Sequence, residues 1–142
     1  MKQSNSDLVS EAFSRQGPVF DRLDDENPLS AHLRKKFRAE VEKFLAPRSS
    51  ILELNCGTGI DALYFASKGH KVFATDNAPG MIAELIKKAE SSGLSENLKC
   101  RRLSYHDTDE LVPGKFDHIV SSFGGLNCTD DLGSVLGKLP DL

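Results

Sequence analysis

The sequence predicts an α/β fold: a doubly wound, mostly parallel sheet, truncated to about four strands and preceded by a helical segment. Three observations predict it. Beyond Pro47, short apolar runs alternate with helical patterns at the spacing of βαβ units. A turn rich in small residues, Asn55-Cys56-Gly57-Thr58-Gly59, falls between the first strand and the helix after it. An aspartate, Asp76, ends the second strand 19 positions after Gly57 (76 − 57). With 142 residues, the chain has the length of one domain. It divides into an N-terminal helical segment, 1–47, and a sheet domain, 48–142, that looks incomplete at its C-terminal side.

Taken in order, Ser6 to Ser14 reads as a short helix broken by Gly17-Pro18. Phe20-Asp21-Arg22-Leu23 is a half-apolar patch leading into the turn-prone Asp24 to Pro28. Leu33, Phe37, Val41, Phe44 and Leu45 form one apolar stripe, so a helix is expected from Ser30, as its cap, to Leu45, with Pro47 as its stop. Ile51 to Leu54 is the first strand. Ile60 to Lys68 is a helix closed by Gly69, where a left-handed residue is wanted. Lys71 to Thr75 is the second strand, Pro79 to Glu90 a helix with proline in its first turn, and Leu98 to Leu103 the third strand. Phe116 to Ser121 is the fourth, and Asp130 to Leu142 reads as a final helix. Such sheets usually carry more strands. One side of the fourth is therefore expected to be an open edge, covered by a second copy of the chain or by a further segment.

Composition excludes several classes. The longest apolar run is a few residues, too short to cross a bilayer, and Met1 to Ser10 lacks the apolar stretch of a secretory signal. Cys56, Cys100 and Cys128 are scattered, with no metal-ligand spacing and no disulfide pattern, so no metal is expected and a reducing, cytoplasmic setting fits. The net charge of −3 gives no reason to coat nucleic acid or an anionic membrane. The basic stretch Arg34, Lys35, Lys36 and Arg38 reads as the solvated face of a helix.

The chemistry concentrates between Ile51 and Ala62. Gly57 and Gly59 let backbone approach a ligand with no Cβ in the way, and the helix after them points free N–H groups into the same space. Asn55 stands where a first glycine is usual, and asparagine is the side chain that best tolerates a left-handed backbone. Glycine-rich turns also occur in loops that bind nothing. Asp76 adds weight. In a doubly wound sheet its carboxylate reaches the crevice beside the turn, where it can accept hydrogen bonds from a ribose; the alternative is that it merely caps the next helix, a task Asn77 could also take. Asp107-Thr108, after the third strand, can meet an adenine amino group or sit among solvated acids with Asp109 and Glu110.

At these positions the chain resembles the class I S-adenosylmethionine-dependent methyltransferases. Ile-Leu-Glu-Leu-Asn-Cys-Gly-Thr-Gly, 51–59, is similar to that family's first motif, and Ala-Thr-Asp-Asn-Ala-Pro-Gly-Met-Ile, 74–82, to its second. His-Asp-Thr-Asp-Glu-Leu, 106–111, resembles its adenine-side loop, and Phe-Asp-His-Ile-Val-Ser-Ser-Phe-Gly, 116–124, its fourth strand and exit. The resemblance implies a Rossmann-like fold and a cytoplasmic enzyme that moves a methyl group from S-adenosylmethionine, leaving S-adenosylhomocysteine, to a small-molecule acceptor. It also implies roles. Glu53 would organise the loop and face the methionine amino group, with the backbone of Asn55, Cys56, Gly57 and Gly59 lining methionine and ribose. Asp76 would bind the ribose hydroxyls, Asn77 and Met81 would flank the adenine, and Asp107 and Thr108 would read its edge. Ser121 to Phe123 would lie beneath the sulfonium. Phe20 resembles a lid aromatic, with core packing as the alternative.

The pattern departs from the family at Asn55 and in the strands expected after the fourth. No catalytic base is assigned: His106 is the histidine nearest the expected site, and a structural or solvated role suits it as well. Two other readings stand beside this one. A nicotinamide-dependent oxidoreductase shares the turn and the ribose acid, but wants a glycine where Asn55 stands. A non-catalytic, methyltransferase-like binding module would suit a short chain.

Overall fold

The structure is a computed structural model and describes residues 5–142; residues 1–4 of the polar stretch weighed above as a signal lie outside it. Four strands, β1 (Ser50–Leu54), β2 (Lys71–Asp76), β3 (Leu98–Arg102) and β4 (His118–Ser121), form one parallel sheet in the order β3-β2-β1-β4. Ile51 pairs with Val72 on one side and His118 on the other, so β1 is the hinge of the winding. The chain runs outward from β1 to β3 and then crosses to β4. In such sheets a crevice opens at this reversal, outside the carboxyl ends of the strands.

Strand periodicity divides the core. Ile51, Val72, Ala74 and Leu98 face α3 (Ile60–Ser67) and α4 (Pro79–Ser91) through Ala62, Phe65, Ile82 and Leu85. Leu52 and Leu54 face the opposite way, against Leu103, Leu111 and Leu142 of the chain after β3. That chain holds a 3-10 turn at Tyr105–Glu110, a second at Gly125–Cys128, and α5 (Leu132–Lys138). α5 is shorter than the helix expected over 130–142, because Pro140 allows only a 3-10 turn at Leu139–Asp141.

Two N-terminal expectations are corrected. Gly17-Pro18 does not break the first helix: α1 runs unbroken from Asn5 to Asp25. The glycine there serves contact rather than a turn. A Cβ on Gly17 would lie 2.8 Å from the Gly80 carbonyl oxygen, and one on Gly80 would overlap the Ser14 backbone, so the two glycines let α1 lie directly on α4. Ser14 Oγ bonds the Ser10 carbonyl and receives the Gly80 N–H, which fastens the crossing. The second helix, α2 (Pro28–Glu42), starts before Ser30. Asn27 caps it by accepting the Leu29 N–H at 3.0 Å, and Pro28 occupies the first turn.

The basic stretch of α2 is divided: Lys35 and Lys36 are exposed, as a solvated face requires, but the two arginines are not. Arg34 is buried, and Arg38 sits beside it at the surface of the core. The buried stripe is shifted from the expected one: Phe37, Val41 and Leu45 pack on the core, while Leu33 and Phe44 are exposed. The cause is an ion-pair cluster. Arg34 binds Asp24 with Nε and Nη2, and Asp61 with Nη1 at 2.5 Å; Arg38 Nε binds Asp61 at 2.7 Å. Satisfying these buried charges rotates α2 to put its arginines inward.

Candidate functional site

The crevice beside β1 holds two adjoining cavities. The larger, about 160 Å³, is mostly apolar and lies between α1, the end of β2, the start of α4 and the turn after β3. The smaller, about 90 Å³, lies over the turn after β1 and contains the paired charges of Asp24 and Arg34. Phe20, Asn55, Gly57, Ser122 and Phe123 belong to the walls of both.

The turn itself is built from left-handed residues. Asn55, Gly57 and Gly59 have φ of 46°, 58° and 77°. The two glycines differ in purpose. A Cβ on Gly57 would meet open space, as fits a residue facing a cavity, whereas one on Gly59 would overlap the Leu85 side chain. Gly59 therefore packs the turn against α4 and is absent from both cavity walls.

Asp76 is held where the spacing placed it. Its Oδ2 accepts the Gly57 N–H and its Oδ1 the Ala78 N–H, each at 2.8 Å, and it lines the larger cavity. One carboxylate thus ties the turn after β1 to the end of β2 and to Ala78, the residue before α4; it is not the cap of α4, whose N-cap position is Ala78 and carries no side-chain cap bond. Burial pushes its acidity toward higher pH, and the two backbone N–H donors work against that push. Asn77 and Met81 line the same cavity. Asn77 also joins α1 to the site, with its carbonyl accepting Ser10 Oγ at 3.0 Å and its amide donating to Ser6 Oγ.

The remaining expected residues fall into two groups. Phe20 and Phe123 wall both cavities, and Cys56 lines the smaller one, buried with its thiol pushed well up by desolvation. Glu53, Asp107, Thr108 and Ser121 line neither cavity. Thr108 is wholly buried, with its hydroxyl on the Tyr105 carbonyl, and Asp107 is exposed. Ser121 bonds Asn55 instead. Glu53 is buried behind the turn, and its Oε2 has no hydrogen-bond partner. Desolvation drives its pKa well above the usual carboxylate range, and Asp61 adds to this against the pull of Arg34 and Arg38. His106 lies off the cavity walls, with Nε2 2.9 Å from Thr129 Oγ1.

Of α1, sequence reasoning pointed to Phe20 alone and missed the residues before it. Ser6, Val9, Ser10 and Phe13 cover the larger cavity. It also missed Asp24 and Arg34 in the smaller one; the only signal was two arginines four residues apart beside core-facing Phe37 and Val41.

A parallel sheet wound outward from β1, with a left-handed turn and a carboxylate meeting at its reversal point, is the architecture of the doubly wound α/β domains. Residues 51–140 match the methyltransferase-domain family, and the chain belongs to that family. A demethylmenaquinone methyltransferase of Thermus thermophilus is 34% identical over 136 residues, covering 89% of this chain and 57% of that protein. The chloroplastic magnesium protoporphyrin IX methyltransferase of Arabidopsis thaliana is 29% identical over 119 residues, 78% of this chain and 37% of that protein. This chain therefore spans little more than half, or less, of the length of these relatives. Among solved structures, an S-adenosylmethionine-dependent methyltransferase of Aquifex aeolicus shares the fold with a TM-score of 0.71 at 20% identity, over 88% of this chain and 65% of that one. A Haemonchus contortus phosphoethanolamine N-methyltransferase, determined with phosphomonomethylethanolamine and S-adenosylhomocysteine, shares it with a TM-score of 0.65 at 18% identity, over 71% of this chain and 24% of that one.

Proposed function

We propose that this chain is the cofactor-holding part of a cytoplasmic S-adenosylmethionine-dependent methyltransferase acting on a small-molecule acceptor, with residues 48–142 as the cofactor domain and 1–47 as its lid. The observation that carries the reading is the 2.8 Å contact of the Asp76 carboxylate with the Gly57 N–H at the wall of the larger cavity. It leaves oxygen lone pairs beside a turn whose backbone has no Cβ in the way, as recognition of a ribose requires. The smaller cavity supports the same ligand. A zwitterionic amino-acid end needs a cation and a carboxylate together, and Arg34 and Asp24 supply both. Two relatives are named for demethylmenaquinone and magnesium protoporphyrin IX, which are small organic acceptors.

When bound, the cofactor supplies a methyl group already activated for in-line displacement. The chain's own residues then have the tasks of alignment and desolvation. Asp76 orients the ribose, Asn77 and Met81 bound the adenine space, and Phe20 and Phe123 keep water from the joint between the cavities. The outer side of β4 pairs with no strand among the described residues, and a second copy or a further segment is proposed to cover it. Among the described residues no helix is long and apolar enough to cross a membrane.

Calorimetric titration of the chain with S-adenosylhomocysteine tests the reading, with NAD as the competing ligand. Saturable heat from the former and none from the latter is expected. Heat from NAD alone would make the chain an oxidoreductase module, and tight S-adenosylhomocysteine binding without transfer to any acceptor a binding module.

A further inference from the structure

Asn55 occupies a left-handed backbone position that glycine adopts at less cost, so its side chain must be held in return. It is held at both ends of its amide. Nδ2 donates to the Ser122 carbonyl at 3.2 Å, and Oδ1 accepts from Ser121 Oγ at 2.7 Å. One side chain thereby bridges the end of β1 to the exit of β4, across the reversal point of the sheet.

Two neighbours are fitted to this bridge. A Cβ on Gly125 would overlap the Asn55 amide, so the turn after β4 closes over Asn55 only because position 125 is glycine. Phe123 follows the bridged serines, is itself left-handed at φ 54°, and places its ring 4.2 Å under the Arg34 guanidinium of α2. Asn55 and Phe123 both stand where the two cavities meet.

We propose that the Asn55 side chain is a positioning clasp: by fixing Ser121 and Ser122 it holds Phe123 at the joint of the two cavities, and so sets the wall against which the methyl group is presented. The last clause rests on the cofactor reading above; the clasp is a property of the free chain.

The test uses the full 142-residue chain. Asn55→Gly keeps the left-handed backbone and removes both bonds. Asn55→Asp keeps the acceptor for Ser121 and sets an oxygen against the Ser122 carbonyl. Hydrogen exchange at the Gly125 and Asn127 amides, which bond Ser122 and Gly124, is expected to quicken at least about tenfold in both variants, with β2 amides unchanged. Gly125→Ala is expected to lower the melting midpoint in the native background and to cost less than half as much in Asn55→Gly, the non-additivity of residues in contact. With ¹³C-methyl S-adenosylmethionine bound, the methyl resonance is expected to move toward its free position in both Asn55 variants.

Unchanged exchange at Gly125 and Asn127, or strict additivity of Asn55→Gly with Gly125→Ala, overturns the clasp. An unmoved methyl resonance in variants with quickened exchange overturns its role toward the methyl group. Absence of S-adenosylhomocysteine heat in the native chain overturns the cofactor reading, while exchange and additivity still judge the clasp.

Discussion

Asp76 carries two backbone hydrogen bonds and still faces a cavity, so its removal acts on ligand and loop together. Asp76→Ala is expected to weaken S-adenosylhomocysteine binding by about 1–3 kcal/mol, the scale of hydrogen bonds to a charged group. Unchanged calorimetric affinity would remove Asp76 from the site. Gly57→Val puts a branched side chain into the open space that a Cβ there would enter, from a backbone conformation valine resists. Loss of binding with a retained circular dichroism spectrum is expected, and a variant that still binds would place the ligand elsewhere. Glu53 has a pH signature. Burial raises its pKa in the folded state, so folding favours the protonated form. Its contribution is complete below the usual carboxylate range and is lost as pH rises through the raised folded value. Thermal midpoints of the native chain should therefore fall with rising pH relative to Glu53→Gln, whose side chain stays neutral; parallel curves would contradict this.

At the scale of elements, α1 and α2 owe their positions to small residues and buried charge rather than to a large apolar face. The α1–α4 crossing needs glycine at 80, and Gly80→Ala forces the helices apart. Urea denaturation should show a loss of about 1–3 kcal/mol, the cost of overpacking, together with weaker S-adenosylhomocysteine binding because α1 walls the larger cavity. Arg34→Ala strands Asp24 and leaves Asp61 to Arg38 alone. A loss of about 3 kcal/mol is expected by the same measurement, near the lower end for a broken buried pair because Arg38 remains. A variant as stable as the native chain would mean that the cluster is solvated.

For the whole molecule, the two halves meet at the cavities: Phe20 and Asp24 from α1 and Arg34 from α2 on one side, the turns after β1 and β4 on the other. A ligand spanning this seam should stabilise the assembled chain. S-adenosylhomocysteine at one hundred times its dissociation constant is expected to add about 2.7 kcal/mol to unfolding, read as a raised melting midpoint, with no such rise from NAD. Equal shifts from both ligands would count against the proposed specificity.

The sequence by itself determined the sheet and its central turn. Strand and helix periods, the left-handed tolerance of Asn55 and Gly69, and the reach of Asp76 back to Gly57 are local or fixed by the winding of a parallel sheet, so they are legible in one dimension. Only the tertiary structure decided the rest. It carried α1 through Gly17-Pro18, because a glycine that reads as a break in the chain reads as a contact surface once α4 lies against it. It turned Arg34 inward, because Asp24 and Asp61 lie 10 and 27 positions away. It also drew Thr108 into the core and off the cavity wall. These outcomes depend on partners that no local pattern announces: burial of a charge or a close approach of backbones is stabilising only when its complement arrives from elsewhere in the fold.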